Sequence, residues 1–314
     1  MKKIKTMKIA WILILFTLFS CHRQSKILDE TPTRGNIKIS VDESYTLLIE
    51  AEKYTFEALY QYAKINVNYK NEVDVINDFI NDSVRFIILN RKLTTDQENY
   101  LKSKQIIVRT TKVAYDALAF IVNKQNPDSN IRFDQLKDIF QGKINTWKKI
   151  NSNSELRKIT VVFDNEKSGN VRYLKDKFEI GNSFPDYCFA VNNNNDVISY
   201  VEKNKEAIGV ISVNWISDKH DSVTIGFLDI IRVASIGEIG NTDGTGSFYK
   251  PILGNIALNN YPFTRDVYAI CRESFSGLGT GFASFIAGDQ GQRIVKLSGL
   301  VPATMPIRII EVKK

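Results

Sequence analysis

The chain has 314 residues, 43% of them apolar, which suits two domains with buried cores better than one. Its formal charge of +7 includes four lysines, Lys2, Lys3, Lys5 and Lys8, in the first eight residues, and falls to +3 without them, so nucleic-acid binding gains no support. With two histidines and three cysteines it offers no Cys/His cluster at metal spacing, and neither a metal nor a cofactor is expected.

In chain order, MKKIKTMK (1–8) is basic, and IAWILILFTLFS (9–20) is almost wholly apolar and runs into Cys21. That is the plan of a secretory signal peptide, and the apolar run is too short for a comfortable membrane span. Residues 1–20 are therefore expected to be removed on export. Leu18-Phe19-Ser20-Cys21 resembles a lipobox, in which a small residue precedes a cysteine that is lipidated and becomes the mature N-terminus. Cys21 is then the lipidation site, and its acyl chains anchor the protein to a membrane. Residues 21–35 are polar and turn-prone, a flexible stalk, and folding should begin near Asn36. Export permits a disulfide between Cys188 and Cys271, but both are expected to be free and buried.

NIKISV (36–41) reads as a strand, and Asp42 to Tyr45 turn into a helix through about Gln61. KINVNY (64–69) reads as a strand, Asp74 to Asn81 as a helix, and the apolar run VRFIILN (84–90) as a buried strand. Strands alternating with helices imply parallel βαβ units, with ligands bound beyond the carboxyl ends of the strands. Asp42 to Tyr45, Asn71-Glu72 and Asn90-Arg91 fall at such ends. Residues 106–124 offer two strands, the second from Leu118 to Asn123, and Phe133 to Gln141 a helix stopped at Gly142. ITVVFD (159–164), the turn Ser168-Gly169-Asn170, a helix to about Phe178, Val197 to Lys203 and IGVISV (208–213) form a second βα series. Beyond residue 233 the chain is turn-rich, then gives a strand DVYAICR (266–272) and one long helix from Gly281 to Leu297.

LKDIFQGKINTWKKI (136–150) resembles the L-x-x-I-F-x-G-K-I-x-x-W segment of the phosphate-binding proteins that serve ABC phosphate importers (PstS type). YDALAFIVNKQNP (115–127), EAIGVISV (206–213), YPFTRDVYAICRE (261–273) and GDQGQRIVKLSGLVPA (288–303) resemble further blocks in the family's order. The resemblance covers about residues 36–310. It implies an α/β, two-lobed type II periplasmic-binding-protein fold whose lobes close over a ligand by a hinge. Lobe 1 would be residues 36–113 plus 235–314, and lobe 2 residues 114–234.

The family's oxyanion loop carries an arginine four residues ahead of Ser-Gly-Thr. Here Ser168 and Gly169 are kept, Asn170 replaces the threonine, and Asp164 stands at the arginine position. Across the cleft, Arg91 matches the family's ligating aspartate, so an acid and a base have exchanged lobes, which keeps the charge balance. The resemblance places Ser44 and Tyr45 on the first ligand loop and Glu72 near the second serine-bearing turn, where Arg91 or Lys70 could pair with it. Expected ligand contacts are Ser44, Tyr45, Arg91, Ser168, Gly169 and Asn170, with Glu72, Asn90, Asp164 and Arg172 as further cleft residues. Ser168-Gly169 also fits a plain helix cap, Arg91 and Arg172 fit solvated charges, and Arg265 fits a turn anchor. The glycine strings 241–248 and 277–282 complete no nucleotide fingerprint, and no nucleophile stands with a base, so an enzyme is not expected. The expectation is a monomeric, envelope-located lipoprotein that captures an oxyanion, inorganic phosphate foremost, for an ABC permease. The alternatives are a different oxyanion, or a signalling, adhesion or scaffold role on the same fold.

Overall fold

The computed structural model describes residues 30–181, 183–217 and 222–308, Val223 without its side chain. The expected signal peptide, Cys21, most of the stalk and His220 lie outside the described residues. The strands in chain order are β1 (Gly35–Asp42), β2 (Ala63–Lys70), β3 (Phe86–Leu89), β4 (Arg109–Asn123), β5 (Asn130–Ile131), β6 (Thr160–Phe163) and β7 (Cys188–Ala190). After them come β8 (Ala207–Ser212), β9 (Ile231–Val233), β10 (Ser235–Gly237), β11 (Phe248–Tyr249), β12 (Thr264–Cys271) and β13 (Val301–Pro302).

The main sheet runs β2-β1-β3-β12-β4-β8-β6-β7, with β9 and β13 also paired to β4. β1 is parallel to both β2 and β3, and β6 to both β7 and β8, as helical crossovers require. The two series form two lobes, each a parallel α/β unit. What joins them is β4, fifteen residues long and antiparallel to its neighbours. Its residues Arg109–Ala117 pair with β12, and Leu118–Val122 pair with β8. The sequence therefore suggests two strands where there is one. Its hydrophobic pattern changes midway because the strand leaves one lobe's sheet and enters the other's.

Two further expectations are corrected. The single helix from Gly281 to Leu297 is two helices, Leu278–Ala287 and Asp289–Leu297, divided at Gly288, which is extended at φ −82° and ψ 173°. The second helix folds back so closely that a Cβ at Gly291 would collide with the Phe285 carbonyl oxygen, and glycine permits this approach. Cys188 is half-buried rather than buried, while Cys271 is buried, and both are free. Residues 235–249, which the resemblance assigns to lobe 1, contribute β10 and β11 to a small sheet with β5: β10 is parallel to β5 and antiparallel to β11.

The helix Thr95–Ser103 is an addition to the elements expected from the sequence, although Thr94 and Gln97 form a reciprocal capping box, the T-x-x-Q signature of a helix start. A continuous aliphatic and aromatic core lines β1, β4, β6 and β8, and a satellite cluster around Val75, Phe79, Ile87 and Leu89 fixes the helix Glu72–Ile80 against β3. That second cluster matters for the site, because Glu72 opens the helix it holds.

Candidate functional site

Each lobe offers the cleft the carboxyl ends of its parallel strands. At the end of β1, the Asp42 side chain caps a short 3-10 turn, accepting from the Ser44 amide at 2.9 Å. Asp42 and Ser44 are buried, yet Asp42 Oδ2 and Ser44 Oγ have no hydrogen-bond partner in the protein. Tyr45, one residue on, is fully buried and turns its hydroxyl to Asp116 at 3.2 Å, so its side chain belongs to the core.

At the end of β6, Asp164 is 2% exposed and organises the loop opposite. It accepts from Ser168 Oγ at 2.6 Å and from Asn170 Nδ2 at 2.9 Å. Ser168 Oγ in turn accepts from the Val171 amide at 3.2 Å, so Ser168 is the N-cap of the helix Gly169–Phe178. The Arg172 amide reaches the Ser168 carbonyl at 3.2 Å, which leaves the amides of Gly169 and Asn170 without intrahelical partners at the positive end of the helix dipole.

Glu72 ties the lobes together. Only 2% exposed, it accepts from Arg91 Nε at 3.0 Å in its own lobe and from Arg172 Nε at 2.7 Å and Nη2 at 3.1 Å across the cleft. Arg172 also donates to Asn90 Oδ1. Lys70 turns away to Asp78 at 2.8 Å. A Cβ on Gly169 would strike Asn90 Nδ2 and come within 2.8 Å of Glu72 Oε2, so glycine is what lets the lobes meet here. Glu43 reaches the amide and side chain of Asn194 across the same gap.

The residue that the sequence reading undervalued is Arg265. It sits near the start of β12, 6% exposed, and its guanidinium lies at the crossing between the lobes. Nε donates to Asp116 Oδ2 at 2.8 Å and Nη1 to Asn170 Oδ1 at 2.6 Å. Nη2 lies 2.7 Å from Asp116 Oδ2 but makes no aligned hydrogen bond. Asp116, fully buried on β4, also receives Ser212 Oγ at 3.0 Å. The available signal was a charge inside an apolar strand: an aspartate within YDALAFIV has to be paired when the strand is buried.

Three acids around the cleft have raised pKa values, and burial is the largest cause for each. Asp42 is pushed up to about 6, with Glu72 adding to the effect and the hydrogen bond from the Ser44 amide opposing it. Asp164 rises to about 7 despite the Ser168 hydrogen bond, and Asp42 adds to it. Glu43 rises to about 8, with Asp164 contributing. The cleft thus combines one arginine balanced by Asp116, an arginine pair sharing Glu72, and acids poised to hold protons near neutrality.

Two lobes on one crossing strand, with facing loop ends and a bridging arginine, are the architecture of a solute-binding protein. A family profile described as a PBP superfamily domain matches residues 29–290, and the chain belongs to that superfamily. It is 23% identical over 268 residues to the phosphate-binding protein PstS of Staphylococcus epidermidis, covering 84% of this chain and 78% of that one. It is 25% identical over 234 residues to the PstS of Staphylococcus aureus strain USA300, covering 73% and 67%. Among solved structures, a putative phosphate ABC transporter substrate-binding protein from Clostridium perfringens superposes with a TM-score of 0.70 at 22% identity, covering 86% of this chain and all of that one. An ABC-type phosphate transport receptor from Vibrio cholerae gives 0.63 at 18%, covering 85% and 100%. Among the described residues no three of His, Cys, Asp and Glu are grouped to hold a metal ion.

Proposed function

We propose that the protein is an extracytoplasmic receptor that captures a phosphoryl oxyanion, inorganic phosphate being the simplest, and hands it to an ABC importer. The observation that carries this reading is the set of buried polar atoms without an aligned hydrogen bond on the cleft residues: the donors Ser44 Oγ, Asn90 Nδ2 and Arg265 Nη2, the last ion-paired with Asp116, and the acceptor Asp42 Oδ2. Several donors with one carboxylate acceptor complement an oxyanion that keeps a proton, since P–O accepts and P–OH donates. Gly169 and Asn170 would add amides from the helix start. Arg91 acts through Glu72, and Ser168 and Asn170 act through Asp164, as positioning residues. The phosphate-binding names of the relatives agree with this reading.

In this scheme the lobes divide at two crossings, one within β4 between Ala117 and Leu118 and the other near Phe263, so that β10 and β11 travel with lobe 2. Cys21 carries the lipid anchor and the receptor acts as a monomer. Replacing Cys21 by serine should move the protein from the membrane to the soluble fraction; unchanged membrane retention rules the anchor out.

Calorimetric titration of the full chain in detergent tests the ligand. Phosphate should bind at micromolar or tighter affinity, and Arg265→Met should weaken it by at least about tenfold, or 1.4 kcal/mol. Silence with phosphate, sulfate and molybdate alike would reject the receptor reading in favour of a non-transport role.

A further inference from the structure

A cavity of about 770 Å³ has both Asn90 and Arg265 in its wall. That volume lies in the range of sites for drug-sized organic ligands, far beyond one tetrahedral oxyanion. The wall also carries cationic and aromatic side chains beside the aliphatic Ile256 and Val301. Arg91, Lys92 and Arg172 stand on one side, and Tyr115, Tyr173 and Tyr268 contribute rings.

Few of these charges are cancelled by the wall itself. Its one carboxylate, Asp266, pairs with Lys112 at 2.9 Å and accepts from the Tyr268 hydroxyl at 2.6 Å. Glu72 shares its single charge between Arg91 and Arg172. Lys92 lies over the Tyr268 ring at 5.6 Å, a cation–π contact that leaves its charge in place. Arg172 also pairs with Asp176 at 3.0 Å and Arg265 with Asp116, so among the described residues Lys92 is the wall cation that no carboxylate meets. The Tyr115 ring has the Lys112 ammonium over it at 4.6 Å, and Tyr173 is fixed to the opposite lobe through its hydroxyl to the Thr264 carbonyl at 2.9 Å.

We infer that the solute is an organic phosphoryl compound, a phosphate monoester or phosphonate, whose phosphoryl group meets Arg265 and Asn90 while its organic substituent lies in this chamber against the tyrosines. The substituent gains aromatic contact there, and negative charge near the phosphorus is met by Arg265 and by Lys92. This inference rests on the reading of the cleft as a phosphoryl site, and narrows it.

The test is calorimetric titration of the full chain with phenyl phosphate, glycerol 3-phosphate, phenylphosphonate, pyrophosphate and inorganic phosphate. The expected result is that at least one organic compound binds about tenfold or more tightly than inorganic phosphate, and that Tyr115→Ala and Tyr268→Ala, checked for folding by circular dichroism, each reduce that ratio. Inorganic phosphate binding as tightly as every organic compound would overturn the inference and leave the phosphoryl reading standing, and pyrophosphate binding tightest would also overturn it. Failure of all five to bind would overturn the phosphoryl reading itself.

Discussion

Gly169 shows how much one residue decides in this cleft. Its missing side chain is the space into which Asn90 and Glu72 of the opposite lobe pack, so a methyl group there acts as a wedge at the point of closure. Gly169→Ala keeps good helix propensity at the first helical position, so the fold should survive. The expected outcome is a variant with near-native thermal stability that binds ligand at least about tenfold more weakly, or 1.4 kcal/mol. Titration beside a melting curve checks it; native affinity would mean that closure does not pass through this contact. Ser168, Gly169 and Asn170 were legible as a helix start from the strand–turn–helix pattern. What the pattern hid is that the Ser168 hydroxyl and the Asn170 side-chain Nδ2 both donate to Asp164, because a donor's direction depends on its tertiary partner. Arg265 was hidden for the same reason: its partner Asp116 lies 149 residues away in sequence.

At the scale of elements, the contact that matters is between the helix Glu72–Ile80 and the helix Gly169–Phe178. The N-terminus of the first presents a carboxylate, and the first turn of the second presents Arg172 to it. Glu72→Gln would keep the shape but remove the charge that two arginines share. The closed arrangement should lose about 1.5–3 kcal/mol, the usual worth of hydrogen bonds to charged groups. Small-angle scattering of the ligand-free variant should then give a larger radius of gyration than the wild-type chain; identical curves would show that Glu72 does not hold the lobes together. The sequence marked Glu72 as an ion-pair partner and Arg91 as a cleft base, and the structure puts the two in contact. It marked Arg172 as a cleft residue but not as the partner that completes the set from the other lobe, since that pairing requires the lobes to be closed.

For the whole molecule, the buried acids make stability depend on pH. Asp42, Asp164 and Glu43 hold protons in the folded protein up to about 6, 7 and 8, whereas unfolded carboxylates release them near 4. Between those limits the native state binds more protons than the unfolded state, so stability falls as pH rises. Glu52, fully buried with neither oxygen partnered and pushed up to about 9 by burial, acts in the same direction. Denaturant midpoints of the ligand-free chain should decrease from pH 5 to pH 8, since every carboxyl that stays protonated in the native state alone weakens folding by about 1.4 kcal/mol for each rise of one in pH. A midpoint that rises across that interval would mean these carboxyls are ionised in the native state. The alternation of strands and helices, and hence the α/β class, was open to inspection in the sequence because each parallel strand is a short apolar run with a helix after it. The crossing of β4 between lobes, and the break at Gly288, were not, since both arise from contacts between distant segments.

The proposed site holds an oxyanion between the ends of β1 and β6, beside Arg265. Crystals of the full chain grown with arsenate, which has the shape of phosphate and scatters X-rays anomalously, test it most directly. The expected result is one strong anomalous peak within hydrogen-bond distance of Ser44 Oγ and Arg265 Nη2, facing the Gly169 amide. A peak elsewhere on the protein, or an arsenate-free cleft in crystals of protein that binds arsenate in solution, would contradict it.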